Sequence, residues 1–78
     1  MDPRQRGLYA FIKYRKGEFL LFLNETDVTY DFMQLPDCYK MSFTKQEFKN
    51  GLTQKQFEFV EQVPEDVFET AQLNVKIA

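Results

Sequence analysis

The stretch SFTKQEFKNGLTQKQFEFVEQVPEDVFE, Ser42 to Glu69, decides how the chain folds. It says nearly the same thing twice: Phe43-Thr44-Lys45-Gln46-Glu47-Phe48 returns as Leu52-Thr53-Gln54-Lys55-Gln56-Phe57. Three readings compete: a functional repeat, a β-hairpin turning at Asn50-Gly51, or one helix ending where another begins. Asn-Gly between alternating strands would be a strong hairpin signal. The flank Thr44-Lys45-Gln46-Glu47, however, is polar throughout and does not alternate. Thr44-x-x-Glu47 fits a capping box, with Phe43 and Phe48 placed as its hydrophobic staple. Thr53-x-x-Gln56 fits a second, with Leu52 and Phe57 in the same places. Gly51 then supplies the left-handed residue that closes the first helix. The echo therefore reads as two helix beginnings and needs no functional explanation.

The second of these helices is contested. On a helical wheel Phe57, Phe59, Val60 and Val63 share one arc, with Glu58, Glu61 and Gln62 opposite, which makes helix the cleaner partition. A strand over 56–62 is the competing reading, favoured by the aromatic and branched side chains but faulted by Val60, which falls among polar residues. Further on, Pro64 suits the first position of another helix, and Glu65, Asp66 and Glu69 suit its N-terminal dipole. Val67, Phe68, Ala71 and Val75 form its stripe. Beyond Asn74 the tail is expected to fray or to add a short edge segment.

Upstream, turn-like triplets recur at Arg15-Lys16-Gly17, Glu25-Thr26-Asp27 and Leu35-Pro36-Asp37. Evenly spaced turns between aromatic, branched runs predict antiparallel strands at about 8–14, 18–24, 28–34 and 38–43. The third sets Val28, Tyr30 and Phe32 against Thr29 and Asp31; the fourth sets Tyr39, Met41 and Phe43 against Lys40 and Ser42. Both read as half-buried. Phe19-Leu20-Leu21-Phe22-Leu23 is apolar on both faces, so that strand needs cover on both sides. One layer of helix covers only one side, so the other face should meet something else.

Composition narrows the chemistry. Seventy-eight residues make one small domain, with a basic N-terminus over 1–7 expected to be loose, a meander over 8–43, a helical part over 44–74 and a tail over 75–78. One cysteine, Cys38, and no histidine exclude an internal disulfide and a Cys/His zinc site. Nine phenylalanines and four tyrosines supply the core and argue against disorder. No apolar run reaches the length of a membrane span, and the first residues lack the pattern of a signal peptide, so a cytoplasmic protein is expected. Through Lys16 the chain carries Arg4, Arg6, Lys13, Arg15 and Lys16 against Asp2; from Gly17 onward, eleven acids oppose five lysines. A basic head precedes an acidic body.

Without imidazole, the usual acid–base, triad and zinc chemistries have no carrier. Asp27, Asp31 and Asp37 could form a carboxylate pair, but acids at strand ends are ordinarily solvated turn formers, and they lack EF-hand spacing. The glycines are isolated, so no phosphate-binding loop is present. The expectation is a non-enzymatic chain without cofactor or metal. Tyr9, Phe11, Lys13, Tyr14, Arg15 and Lys16 interleave rings with cations on a hairpin and form the candidate interaction surface. Single-stranded nucleic acid would use that combination of stacking platforms and phosphate-neutralising charge. The competing reading packs Tyr9 and Phe11 into the core or a subunit contact, and the acidic balance of the whole chain favours it. The sequence thus predicts an α+β domain, with a three- or four-stranded antiparallel meander followed by two or three short helices on one face. Its function is to bind protein, including a second copy as a homodimer; single-stranded nucleic acid is the alternative partner. Size and aromatic content suit a small accessory protein of a phage or mobile element.

Overall fold

The computed structural model describes residues 4–77. The elements run β1 (Gly7–Phe11), β2 (Phe19–Glu25), β3 (Thr29–Leu35), β4 (Tyr39–Thr44), α1 (Lys45–Thr53), β5 (Phe57–Gln62) and α2 (Glu65–Leu73). The strands form one antiparallel sheet in the order β4-β3-β2-β1-β5. The α+β class and the four-stranded meander are as expected. The first strand stops at Phe11, short of the expected residue 14, because the chain enters a turn in which Arg15 and Gly17 take positive φ values of 54° and 94°.

The repeated stretch resolves into one helix start and one strand. Thr44 caps α1 as expected: its side chain accepts from the Glu47 N–H at 3.1 Å, and the Glu47 carboxylate accepts from the Thr44 N–H at 2.8 Å. The second box is not one. Thr53 is the last residue of α1, and its hydroxyl donates back to the Lys49 carbonyl at 3.0 Å. Gly51 does not end the helix either; it lies inside α1, buried. The left-handed residue is Lys55, at φ 58°. Gln56 N–H bonds to the Gly51 carbonyl and Lys55 N–H to the Leu52 carbonyl, the paired bonds of a Schellman stop.

The helix expected over 53–63 is therefore corrected to β5, and two helices remain in the expected helical part. Tertiary pairing explains it. In the meander β1 has a free edge, and β5 fills it with Phe11 opposite Phe57, Ala10 opposite Glu58 and Tyr9 opposite Phe59. The register then slips, so that Leu8 faces Glu61 and Val60 is the extra residue of a bulge. The bulge absorbs the fault that spoiled the strand pattern in sequence. Gly51 is needed here for another reason: a Cβ at that position would stand 2.7 Å from Cδ2 of Phe57. The glycine lets the first ring of β5 lie directly against the helix.

The sheet is rolled. In a flat five-stranded sheet β4 and β5 would be about 19 Å apart. Yet the rings of Phe43 and Phe57, on those two edge strands, have centroids 5.4 Å apart. α1 links the same two strands and drops Phe48 into the concavity. That ring is fully buried and meets Tyr9, Tyr30, Phe32, Phe43 and Phe57 at 4.9–6.4 Å, stacking on the last. Leu20 and Phe22 of the central strand point into this cluster.

α2 serves the opposite face. It leaves β5 through Val63, whose N–H bonds to the Arg6 carbonyl, and the chain reaches the far edge at Lys76, which pairs with Cys38 and Lys40 beside β4. Val67 and Ala71 there share a groove with Met33 and Leu35, residues that alternate with Phe32 and so point away from α1. The expectation that the helices pack over one face is not met: the connection must return from β5 to β4, and α1 already occupies the concave side. Both faces of β2 are thereby covered by the chain itself, with Leu20, Leu21 and Phe22 buried and Phe19 and Leu23 half-buried. The outside cover expected for that strand is not required. β3 is buried on both faces too, apart from its ends, and the Val28 assigned to it stands exposed before it. The edge segment after Asn74 forms at Lys76, and Pro64 sits one position before the helix as its N-cap.

Candidate functional site

The six residues singled out from sequence separate in the structure. Tyr9, at the middle of β1 with a strand on each side, is 3% exposed. Its ring packs edge-on against Phe32, Phe48 and Phe59, and its hydroxyl accepts from the Arg4 N–H at 3.0 Å. It does not belong to an outward surface. Phe11, half-buried, stands edge-on to Phe57 with centroids 5.3 Å apart. Arg15 covers that ring at 5.8 Å and reaches Glu18 at 4.0 Å. Lys13, Tyr14 and Lys16 remain at the tip of the β1–β2 turn, exposed, with the Tyr14 ring 70% accessible. The outward part of the predicted surface is a basic turn carrying one open aromatic.

The segment before β1 is tied to the body from residue 4. The Arg4 guanidinium lies 4.3 Å over the Phe59 ring, and Arg6 Nε donates to the Val63 carbonyl at 3.1 Å. The loose N-terminus expected over 1–7 lies, for residues 1–3, outside the described residues.

The three aspartates considered for a carboxylate pair are dispersed. Asp27 and Asp37 occupy the turns at opposite ends of β3. Asp31, mid-strand and buried, accepts hydrogen bonds from Ser42 Oγ at 2.7 Å and Thr29 Oγ1 at 3.2 Å, with Lys40 Nζ 3.8 Å away. Its lone pairs are engaged in holding β3 to β4. Gln34, the other buried polar side chain, donates to Glu18 and to the Leu35 carbonyl. Among the described residues, no group of three or more Cys, Asp or Glu is placed to hold a metal ion, and no helix is long and apolar enough to cross a membrane.

The feature that sequence reading missed is the groove between α2 and the sheet, about 570 Å³ in volume and open to solvent. Met33, Leu35, Val67 and Ala71 make its apolar surface; Asp66 and Lys76 stand among its polar residues. Val67 and Ala71 were visible as part of a helical stripe. Met33 and Leu35 were not placed, because β3 was read as covered on one face only. The groove exists because α2 sits shallowly: none of its residues is buried, and Val67 is 49% and Leu73 87% exposed. The Cys38 thiol, half-buried, also borders it, 3.5 Å from the Pro36 carbonyl.

Charge is polarised between these two features. α2 carries Glu65, Asp66 and Glu69 and no cation. The β1–β2 turn carries Lys13, Arg15 and Lys16. Among the described residues, the ion pairs are Arg15–Glu18, Lys40–Asp31 and Lys45–Glu25. The acids of α2 and the two turn lysines take part in none of them. No protein-family model, curated protein or solved structure matches this chain.

Proposed function

We propose that the chain is a non-enzymatic, cytoplasmic interaction protein that associates with a second copy of itself through the side of the sheet carrying α2. The observation that carries this reading is the shallow seating of α2, which leaves Val67 of its stripe 49% exposed at an apolar groove. An amphipathic helix of nine residues draws its stability from burying its stripe. Here that stripe is incompletely covered, whereas the opposite face of the sheet holds a dense aromatic core. A self-complementary contact would complete it, and a two-fold dimer is the commonest closed arrangement. The free thiol of Cys38 suits a reducing compartment.

Sedimentation of the full chain over a concentration series tests the reading. A dimer at ~100 µM is expected, corresponding to a contact of about −5.5 kcal/mol or better; a strict monomer there overturns it. Single-stranded nucleic acid remains the second reading, supported by the exposed Lys13, Tyr14 and Lys16 and weakened by the burial of Tyr9. Fluorescence anisotropy with labelled single strands decides it. Phosphate contacts would give an affinity that falls steeply with salt, and absence of binding at low salt removes the reading.

A further inference from the structure

We infer that the β1–β2 turn of each copy, with Tyr14 as its anchor and Lys13 and Lys16 beside it, docks in the α2 groove of the other copy. The inference rests on the self-association proposed above and specifies its surfaces.

Three observations carry it. The first is shape and chemistry. Tyr14 presents a nearly free ring on a turn, the kind of amphipathic anchor that dominates interfaces when it enters a pocket. The groove offers an apolar lining of Met33, Leu35, Val67 and Ala71 in a volume of about 570 Å³, well above what one tyrosine side chain needs. Thr70 and Asn74, which also line it, can bond the phenol hydroxyl.

The second is charge. Lys13 and Lys16 lie beside Tyr14 in the turn; Asp66 and Glu69 stand on α2, Asp66 in the groove lining, whose one cation, Lys76, sits over the Tyr39 ring at 5.5 Å. Neither set has an ion-pair partner among the described residues of its own chain. Opposite patches of this kind steer encounter and fix register.

The third is placement. The turn follows Phe11 and precedes Phe19, and Phe19 pairs with Leu35, so the turn and the Leu35 end of the groove lie at the same end of the sheet. A two-fold axis passing near that end delivers each turn to the other copy's groove reciprocally. The contact is then isologous and closes as a dimer.

The test uses the full chain and sedimentation at several concentrations. Tyr14→Ala, and separately the double substitution Lys13→Glu with Lys16→Glu, alter exposed turn positions and leave the far-UV circular dichroism unchanged. Each raises the dimer dissociation constant by about thirtyfold or more. Reversing the acids, Asp66→Lys with Glu69→Lys, weakens the dimer likewise. Combined with the lysine reversals, it restores association to within about tenfold of the original. Because the α2 reversal could itself disturb folding, a thiol readout stands beside it. Lys13→Cys keeps Tyr14, and mild oxidation links the introduced thiol to Cys38 of a second copy, as identified by peptide mass. A wild-type dimer indifferent to all turn substitutions, or one whose oxidised product joins like positions only, overturns this contact and leaves self-association standing. A wild-type chain that is monomeric at ~100 µM overturns both.

Discussion

The two sides of the sheet are built to different densities. On the α1 side, Tyr9, Leu20, Phe22, Tyr30, Phe32, Phe48 and Phe57 form one buried cluster with rings in edge and stacked contact. Its helix is closed at both ends, by the Thr44–Glu47 capping box and by the Schellman bonds around Lys55. On the α2 side, the helix starts at Pro64 with no side-chain cap, buries no residue and leaves a groove. The two helices are equal in length, and each lies in a connection between the two edges of the sheet. What separates them is the aromatic filling beneath α1. The difference teaches where the packing is dense and where apolar surface stays open.

Four substitutions test that contrast, each read as a shift in urea midpoint at fixed protein concentration, since association would otherwise enter the result. Phe48→Ala is the largest. It empties the centre of the ring cluster and costs about 3–5 kcal/mol, enough to unfold a chain of this size. A loss below ~1 kcal/mol would show the α1 side to be as loosely packed as the other. Gly51→Ala comes next, although alanine is the better helix former by about 1 kcal/mol. The added methyl meets the Phe57 ring and forces helix and strand apart, for a net loss of about 1–3 kcal/mol. A stabilised variant would mean that the ring moves aside freely. Thr44→Ala removes one half of the capping box and costs ~1 kcal/mol. Leu73→Ser, on the exposed end of α2, changes monomer stability by no more than about 0.5 kcal/mol. A larger loss at a concentration where the chain is monomeric would place Leu73 in a packed core and erase the contrast.

Local signals were legible where local physics settles the matter. The capping box at Thr44 and the four strands of the meander were readable because each rests on neighbours within a few residues. The same reasoning failed at Thr53, where Thr53-x-x-Gln56 fits the same capping-box pattern with Gln in place of Glu. There the side chain turned back on Lys49, because continuing as helix would leave the β1 edge unpaired and Phe57 and Phe59 without the rings of Tyr9 and Phe11. Of the candidate surface, Lys13 and Tyr14, expected in the first strand, stand exposed with Lys16 on the turn, because β1 stops at Phe11. Tyr9 was misplaced because nothing local reveals that β1 is an interior strand. The groove was invisible for a related reason: it lies between Met33 and Val67, which a single-face reading of β3 never brings together.

By itself, the sequence determined which segments turn, which side chains are too oily to leave in water, and that histidine-dependent chemistry has no carrier. Those are properties of residue types and short spacings. Only the tertiary structure decided that the second echo is a strand, that the two helices take opposite faces, and that β2 is covered while Val67 and Leu73 of α2 are left exposed. Each depends on which edge is open and which face is already filled, quantities that exist only after distant parts of the chain have met.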